Sequence, residues 1–517
     1  MPLRLGGYAE AMGSKNITRR NLIIGGGIAA AGIAGATVAY EITKPPAPST
    51  VTLTQPEIIA ATDGVLDITL TAAPVEKTIA GKTVTMAGYN GSVPGPTLRL
   101  HQGDLLRVKL VNQLGATTNL HTHGLHVPAT GNADNPLLMI SDGESFQYEY
   151  RIPQDHPGGT FWYHPHHHGQ TANQVFAGLY GTIEVMIGDE PGLDERVLVI
   201  SDTSFTTDGK VAGANMMSKR MGREGDYILV NGSVQPVGSI APDTAERWRI
   251  VNACTSRYLN LSVDGAWKAE QIAVDGHDLE ATAPAQGMIL APGNRTDLLV
   301  WSGKTGEVRL NYTTVPHPDS MNMGQAQTTY RNYALATIGV SKDAAKAAIA
   351  VPTFVPQRKT DLRNVATAAK RTFVLNMPTM NAMMSGNSNS MSGMSGMSGM
   401  ENMPGMGGVS HSFTINGQSF NPNRVDTTVA LGTVEEWTIV NKSTMAHPFH
   451  LHIWPQQVLK VGTDELSEVR VQDVVNVPAK SSVVVRIEFT DYAGPTVYHC
   501  HILDHEDLGM MGLIEAK

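Results

Sequence analysis

Three stretches of the chain alternate apolar and polar residues with the two-residue period of a β-strand. Each stretch ends in asparagine, and they read DLLRVKLVN at 104–112, ERWRIVN at 246–252 and EEWTIVN at 435–441. An Asn-Gly pair, typical of a tight turn, and then a proline precede each stretch. These pairs begin at Asn90, Asn231 and Asn416. The pattern predicts three copies of one β unit.

The spacing of the copies predicts the domain organisation. From the Asn-Gly pair to the closing asparagine the separations are 22, 21 and 25 residues. Frequent Gly and Pro between short alternating segments favour an all-β fold of three Greek-key β-sandwich domains, and long helices are not evident. The predicted domains are 49–190, 191–350 and 351–517.

The closing asparagine also locates candidate metal ligands. Nine residues after it, the first copy has His121 and His123, and the third copy has His450 and His452. The middle copy has Leu261 at that position. We therefore expect metal ligands in the outer domains and a middle domain that serves as a spacer.

The ends of the outer copies match in the same way, with YHPH at 163–166 and YHCH at 498–501. A single histidine is usually a structural residue, but matched pairs in two repeats indicate a site between the first and third domains. An open cluster of several metals would use this many imidazoles. The candidate ligands are His121, His123, His164, His166, His450, His452, His499 and His501.

Cys500 stands between two of these histidines. Alternate residues of a strand point to opposite faces, so its thiol should face away from His499 and His501. The remaining partners on the thiol side are His447, His505 and Met510. Two imidazoles, a thiolate and a weak thioether are the blue-copper electron-transfer arrangement. Zinc is the alternative, but zinc does not need the methionine.

A disulfide between Cys500 and the second cysteine, Cys254, is disfavoured by this setting. We expect Cys254 to be a small buried apolar residue. A blue site joined through one residue to an open metal cluster would collect electrons singly and deliver them together. Dioxygen requires such delivery, because four electrons reduce it to water.

Four motifs resemble the copper-binding motifs of the multicopper oxidases: HTHG at 121–124, HPH at 164–166, HPFHLH at 447–452 and HCHILDHEDLGM at 499–510. The resemblance spans residues from about 50 to 517 and implies cupredoxin domains with four copper ions per chain. It implies type 1 copper at His447, Cys500, His505 and Met510. It implies type 2 copper at His121 and His450, and a type 3 pair at His123, His164, His166, His452, His499 and His501. An axial methionine implies a modest reduction potential.

Asp134, Glu506 and Asp507 are candidates for proton delivery to the cluster. Glu506 resembles an acid that in bacterial relatives also links the donor site to the type 1 copper. The alternative for each is an ordinary surface acid or turn residue.

A methionine-rich insertion, about 377–408, is predicted to be a flexible segment. It resembles that of the bacterial copper efflux oxidases, which oxidise Cu(I), and thioethers suit Cu(I). Met377 and Met445 match thioethers of their substrate site, whereas Ala382 and Ser443 replace the expected carboxylates. A spacer or an oxidation sink are alternatives for the segment.

The expected activity is oxidation of Cu(I), phenols or both, with O2 as acceptor and a role in copper tolerance. One alternative is a laccase-like phenol oxidase without a role in copper homeostasis. Another is a non-enzymatic periplasmic protein that sequesters copper, although sequestration would not need two complete ligand sets.

The N-terminus predicts export. Arg19 and Arg20 precede a Gly/Ala-rich apolar run, and residues 1–48 resemble a twin-arginine signal with a Pro-rich linker. This predicts a periplasmic or otherwise extracytoplasmic monomer without a transmembrane domain in its mature form. The net charge of −9 and the absence of a basic stripe argue against nucleic acid as a partner.

Overall fold

The computed structural model describes residues 50–188, 193–265, 267–315, 333–341, 354–357, 359–377 and 413–517. The predicted signal at 1–48 lies outside these residues, as does the methionine-rich insertion except for Met377. Within the described ranges, no helix has the length and apolar character needed to cross a membrane.

The first group of strands forms two sheets. The bounds are β1 Ile58–Ala60, β2 Val65–Ile79, β3 Lys82–Tyr89, β4 Thr97–His101, β5 Leu105–Asn112, β6 His121–His123, β7 Ser145–Arg151, β8 Gly159–His164 and β9 Gly181–Met186. The sheet orders are β1-β4-β9-β8-β6 and β3-β2-β5-β7. We call this pair of sheets the first sandwich.

The next strands form the middle sandwich. The bounds are β10 Asp194–Thr203, β11 Tyr227–Val230, β12 Val237–Ile240, β13 Ala245–Asn252, β14 Leu259–Gly265, β15 Lys268–Val274, β16 His277–Pro284, β17 Met288–Leu290, β18 Arg295–Trp301, β19 Glu307–Thr314 and β20 Tyr333–Val340. The sheet orders are β11-β10-β13-β18-β15-β16 and β12-β20-β19-β14-β17.

The last strands form the third sandwich. The bounds are β21 Ala369–Asn376, β22 Thr414–Ile415, β23 Val425–Val429, β24 Thr433–Asn441, β25 His447–Leu451, β26 Gln456–Val461, β27 Asp464–Gln472, β28 Val474–Val477, β29 Ser482–Phe489, β30 Gly494–Cys500 and β31 Met511–Ala516. The sheet orders are β22-β21-β24-β29-β26-β27 and β23-β31-β30-β25-β28.

The described helices are short: α1 Thr171–Phe176, α2 Met216–Met221, α3 Leu503–Asp507 and a 3-10 turn at Leu362–Asn364. The two sheets of each sandwich share one apolar core. In the third sandwich, Phe373 from one sheet and Phe449 from the other lie in the same core. The predicted all-β class is confirmed.

The repeated asparagines have a structural reason. Asn112, Asn252 and Asn441 are buried, and each donates from Nδ2 to backbone carbonyl oxygens further along the chain. In the first copy the acceptors are Ala116 and Ile140, at 2.8 and 2.9 Å. These bonds fix the path of the chain from one sheet to the other. The residues nine positions after each asparagine therefore occupy equivalent places in the three copies.

Candidate metal centres

Two pairs of neighbouring strands carry the predicted ligands. In the first sandwich, β6 pairs with β8 so that His121 lies opposite His164. In the third sandwich, β25 pairs with β30 so that His450 lies opposite His499. Opposite residues of an antiparallel pair project from the same face. The two sandwiches therefore present similar histidine pairs.

The eight predicted histidines meet in one buried cluster between these sandwiches. Their ring nitrogens form groups in which all ligand atoms lie within 4.8 Å of one another. Two groups are triples that draw on both sandwiches: His123, His164 and His501; and His166, His452 and His499. A further group holds His121 and His450 together with His123.

Oxygen atoms orient several of these rings from the outside. Nδ1 of His164, His450 and His499 donates to the carbonyl oxygens of Pro165, Asp473 and Cys500, at 2.8, 2.8 and 3.0 Å. A carbonyl oxygen only accepts, so the proton must be on Nδ1 and the lone pair on the inward Nε2. Outer bonds of this kind fix the tautomer that binds a metal.

The inward nitrogens fit a metal-binding role. Nε2 of His121, Nε2 of His450 and both ring nitrogens of His501 are buried without a hydrogen-bond partner among the described residues. His166 Nε2 and His499 Nε2 lie 3.1 Å apart. A buried polar atom without a partner costs free energy. Several such ring nitrogens that converge on one space therefore indicate a site for metal ions. Imidazole nitrogens suit copper among other transition metals.

Burial also keeps these rings neutral. It lowers the pKa of every histidine of the cluster, and neighbouring imidazoles lower most of them further. For His164 the pKa falls to about 4, although the bond to Pro165 opposes the shift. Neutral imidazole is the form that binds metals, so the cluster is ready for them near neutral pH.

The second centre lies on the other side of β30. Cys500 Sγ is 3.4 Å from His447 Nδ1 and 3.8 Å from His505 Nδ1, and the two nitrogens are 3.3 Å apart. All three residues are fully buried. The outward nitrogens are held by Ser443 Oγ at 2.8 Å and by the Arg220 carbonyl at 2.9 Å. Both Cys500 and Cys254 are free thiols.

The predicted methionines lie in the same apolar core as Cys500. Met510, Met445 and Met377 are all buried there. The Met510 carbonyl accepts a 3.0 Å bond from the Cys500 amide, and Met445 stands two residues before His447. Burial raises the pKa of the Cys500 thiol, so a metal cation is needed to hold it as a thiolate.

Glu506 and Asp507 are placed beside the histidine cluster by α3. Glu506 is fully buried, with Oε1 accepting from Thr171 Oγ1 at 2.9 Å and Oε2 lying 3.4 Å from His499 Nδ1. Burial and the neighbouring Asp507 raise the pKa of Glu506 well above its usual value. Asp507 is partly exposed, and burial raises its pKa to about 7 although the amides of Gly169, Thr171 and Ala172 donate to it.

Asp134 contacts other histidines of the cluster than Glu506 does. Both its carboxylate oxygens are 2.9 Å from His121 Nδ1, and the Thr122 amide donates to Oδ1 at 2.7 Å. It is also 3.7 Å from His452 Nδ1. The carboxylate thus orients the His121 ring.

Sequence reasoning missed Asp473 and Arg295. Asp473 Oδ1 is 2.9 Å from His123 Nε2, and the Arg295 guanidinium pairs with both carboxylate oxygens at 2.7 and 2.5 Å. Burial raises the pKa of Asp473 to about 7, and Arg295 opposes the shift. The available signal was an acid directly before a pair of valines in the segment VQDVVNV at 471–477. Arg295 also shows that the middle sandwich reaches the cluster.

The fold and this combination of histidine and cysteine groups define a copper protein of the cupredoxin type. Two family models described as multicopper oxidase match the chain, at residues 71–189 and 375–517. The chain belongs to the multicopper oxidase family and is an oxidoreductase, with copper as the metal that the family implies.

Relatives of known identity agree with this assignment. A multicopper oxidase of Staphylococcus aureus is 29% identical over 442 residues, covering 83% of each chain. A laccase of Bacillus subtilis is 25% identical and covers 82% of this chain and 88% of its own. The solved structure of a Campylobacter jejuni multicopper oxidase, described as a metallo-oxidase, has a TM-score of 0.75 and 29% identity. It covers 91% of this chain and 96% of its own.

Proposed function

We propose that the protein oxidises a one-electron donor at a type 1 copper and reduces O2 to water at a trinuclear copper cluster. Four donor molecules each lose one electron, and four protons join one O2 to give two water molecules. The observation that carries the proposal is that Cys500 faces one buried centre while the adjacent His499 faces the other.

The ligand groups suggest which residues would hold each copper. His447, Cys500 and His505 would hold type 1 copper together with Met510, and His121 and His450 would hold type 2 copper. Each of the two triples would hold one copper of the type 3 pair: His123, His164 and His501; and His166, His452 and His499.

Bound copper would supply one-electron redox chemistry at both centres. The chain connects them through the backbone from Cys500 to His499 and His501. A second connection is the 3.0 Å hydrogen bond from His499 Nδ1 to the Cys500 carbonyl. Short covalent and hydrogen-bonded links favour electron transfer from the donor side to the cluster.

Protons would reach the cluster through Asp507 and Glu506. Asp507 is partly exposed and has a pKa of about 7, so it can exchange protons with water near neutral pH. Thr171 contacts both acids, with its amide 3.2 Å from Asp507 Oδ1 and its hydroxyl 2.9 Å from Glu506 Oε1. Asp134 would take part in proton delivery on the His121 side, where its carboxylate contacts His121 Nδ1.

Cu(I) and phenols are the two donor classes that we propose. Met377 and Met445 would provide thioethers for Cu(I), and the methionine-rich insertion at 377–408 would collect it. With Ser443 and Ala382 in place of carboxylates, the site would hold the oxidised ion weakly and release it. The metallo-oxidase description of the C. jejuni relative favours Cu(I), and the laccase relatives favour phenols. Copper tolerance after twin-arginine export is the matching role.

Oxygen uptake by the copper-loaded protein tests this function, with Cu(I) and a phenol as separate donors. We expect uptake with at least one donor and four electrons consumed per O2. Cys500→Ser should abolish both the blue absorption and donor oxidation while leaving the fold intact. Absence of uptake with both donors, or blue colour retained in Cys500→Ser, would contradict the proposal.

A deletion distinguishes Cu(I) oxidation from phenol oxidation. Removing residues 385–408 should slow Cu(I) oxidation at low Cu(I) concentration and leave phenol oxidation unchanged. An unchanged rate with Cu(I) would show that the insertion has no part in collecting this donor.

A further inference from the structure

Arg295 joins all three sandwiches beside the histidine cluster. It begins β18 of the middle sandwich and has no solvent exposure. Its guanidinium pairs with Asp473 of the third sandwich at 2.7 and 2.5 Å. Its Nε donates to the Thr160 carbonyl of the first sandwich at 3.1 Å. A buried arginine with this many partners has one well-defined position.

Asp473 transmits that position to two ligand rings. Its Oδ1 accepts from His123 Nε2 at 2.9 Å, so the inward nitrogen of His123 is Nδ1. Its backbone carbonyl accepts from His450 Nδ1 at 2.8 Å. Arg295 therefore acts on His123 through the carboxylate that both share.

The loop before Arg295 contacts a second member of the same triple. A Cβ atom added to Gly293 would lie 2.9 Å from three atoms of the His501 ring. This distance is shorter than carbon atoms tolerate, so the glycine backbone forms a close wall against the ring. Gly124, after His123, is restricted as well, because its added Cβ would lie 2.5 Å from Arg295 Nη2 and Asp473 Oδ2.

We infer that the middle sandwich, whose described residues supply no histidine to the cluster, positions the triple His123, His164 and His501 through Arg295 and Gly293. Arg295 is a positioning residue that acts through Asp473, and Gly293 acts by direct contact with His501. This inference rests on the proposed assignment of that triple to one copper of the type 3 pair. The other triple has its own support from Glu506, which lies beside His166 and His499.

Because the two triples are supported by different residues, loss of Arg295 should release copper from one triple and not from the other. Arg295→Gln removes the bidentate partner of Asp473, and loss of such an outer contact typically weakens metal affinity about 10- to 100-fold. At limiting copper the variant should hold about one ion fewer per chain. The blue absorption of the type 1 centre should stay, and the spin coupling of the type 3 pair should be lost, with a new paramagnetic signal from its remaining ion. Arg295→Lys keeps the positive charge but cannot form the bidentate pair with Asp473, so it should restore only part of the copper content.

Arg196→Gln is the matched control. Arg196 makes a buried bidentate pair with Glu246 inside the middle sandwich, at 2.8 Å to each oxygen. This control variant should lose stability and keep its copper. Wild-type copper content and spectra in Arg295→Gln would overturn the inference, and so would loss of the blue centre together with the cluster.

Gly293→Ala tests the same inference if Arg295→Gln does not fold. The added methyl should displace His501 and cause the same selective copper loss. Gly287→Ala is its control, because Gly287 has a positive φ of 64° and nothing within 4 Å of an added Cβ. Equal copper content in the two glycine variants would overturn the inference. If the wild-type protein itself lacks the blue absorption or the coupled pair, the proposed function fails instead.

Discussion

His166 Nε2 and His499 Nε2 lie 3.1 Å apart, although 333 residues separate them in the chain. One belongs to the first sandwich and the other to the third, so the space between them exists only when these sandwiches are docked. Metal binding and docking are therefore coupled, because a ligand that binds only the docked state stabilises it.

Copper removal should lower the unfolding temperature. A ligand at 100 times its dissociation constant adds about 2.7 kcal/mol per site to the free energy of unfolding. Thermal unfolding of copper-loaded and chelator-treated protein measures the difference. Identical unfolding temperatures would show that the two sandwiches dock independently of the metal.

Glu506→Gln should slow oxygen reduction by about 100-fold or more, because the amide cannot deliver a proton. Glutamine has the same shape, and its amide oxygen can still accept from the Thr171 hydroxyl, so the support of His166 and His499 persists and copper content and blue absorption should not change. Oxygen consumption at saturating donor measures the effect. Glu515→Gln, at a partly exposed acid paired with Lys517, is the control and should retain wild-type turnover. Normal turnover in Glu506→Gln would assign proton delivery to another group.

Ser443→Ala should alter the donor-side centre. The substitution removes the oxygen that holds His447 Nε2, at a cost of about 1–3 kcal/mol in stability. The blue absorption should shift or weaken, because His447 is then less firmly oriented. Absorption spectra and chemical unfolding measure both effects, with the exposed Ser467→Ala as control. Unchanged spectra would mean that other contacts suffice to orient the ring.

Met445→Leu should distinguish the two donors. Leucine has nearly the volume of methionine, so the cost in stability should stay below about 1.5 kcal/mol. The KM for Cu(I) should rise while the KM for a phenol stays constant, because only Cu(I) needs the thioether. Met86→Leu replaces a buried methionine of the first sandwich and controls for loss of volume. An equal change for both donors would argue against a Cu(I) site at Met445.

His156 should make the copper-free protein sensitive to acid. Burial lowers its pKa to about 4, and its Nε2 accepts from the His126 amide at 3.0 Å. Below about pH 6.5 the unfolded chain binds a proton that the folded chain refuses, so stability falls as the pH is lowered. The loss from this group should approach about 3 kcal/mol at pH 4.

His156→Gln checks this prediction, because the amide cannot titrate in that range. Urea unfolding at pH 7 and pH 4 should show a smaller loss for the variant than for the wild type. The cluster histidines titrate in both proteins, so their contribution cancels in the comparison. Parallel losses would contradict the role of His156.

The all-β class and the separation of the thiol from the histidines could be predicted from sequence, because both follow from the two-residue period of a strand. The repeated Asn-Gly turns were equally readable. Asn90 and Gly91 have positive φ values of 51° and 75°, a conformation that this pair adopts readily. The equal spacing of nine residues from Asn112 to His121 and from Asn441 to His450 identified the cluster histidines, because it is also a local property of the chain.

The grouping of those histidines into triples was decided by the tertiary structure. His452 belongs to the triple with His166, whereas His501 belongs to the triple with His164. The two-residue period of a strand does not determine which histidines of different sandwiches come together. The orientation of His123 depends on Asp473 and Arg295, which come from two other sandwiches.

Sequence by itself thus determined which side chains are available as ligands and which face of its strand each occupies. These properties depend on backbone periodicity over a few residues. The tertiary structure decided which nitrogens converge, which oxygens fix their tautomers, and that the middle sandwich supports the cluster through Arg295. Those relationships depend on how separate sandwiches dock, where contacts between residues hundreds of positions apart are set by packing of whole surfaces.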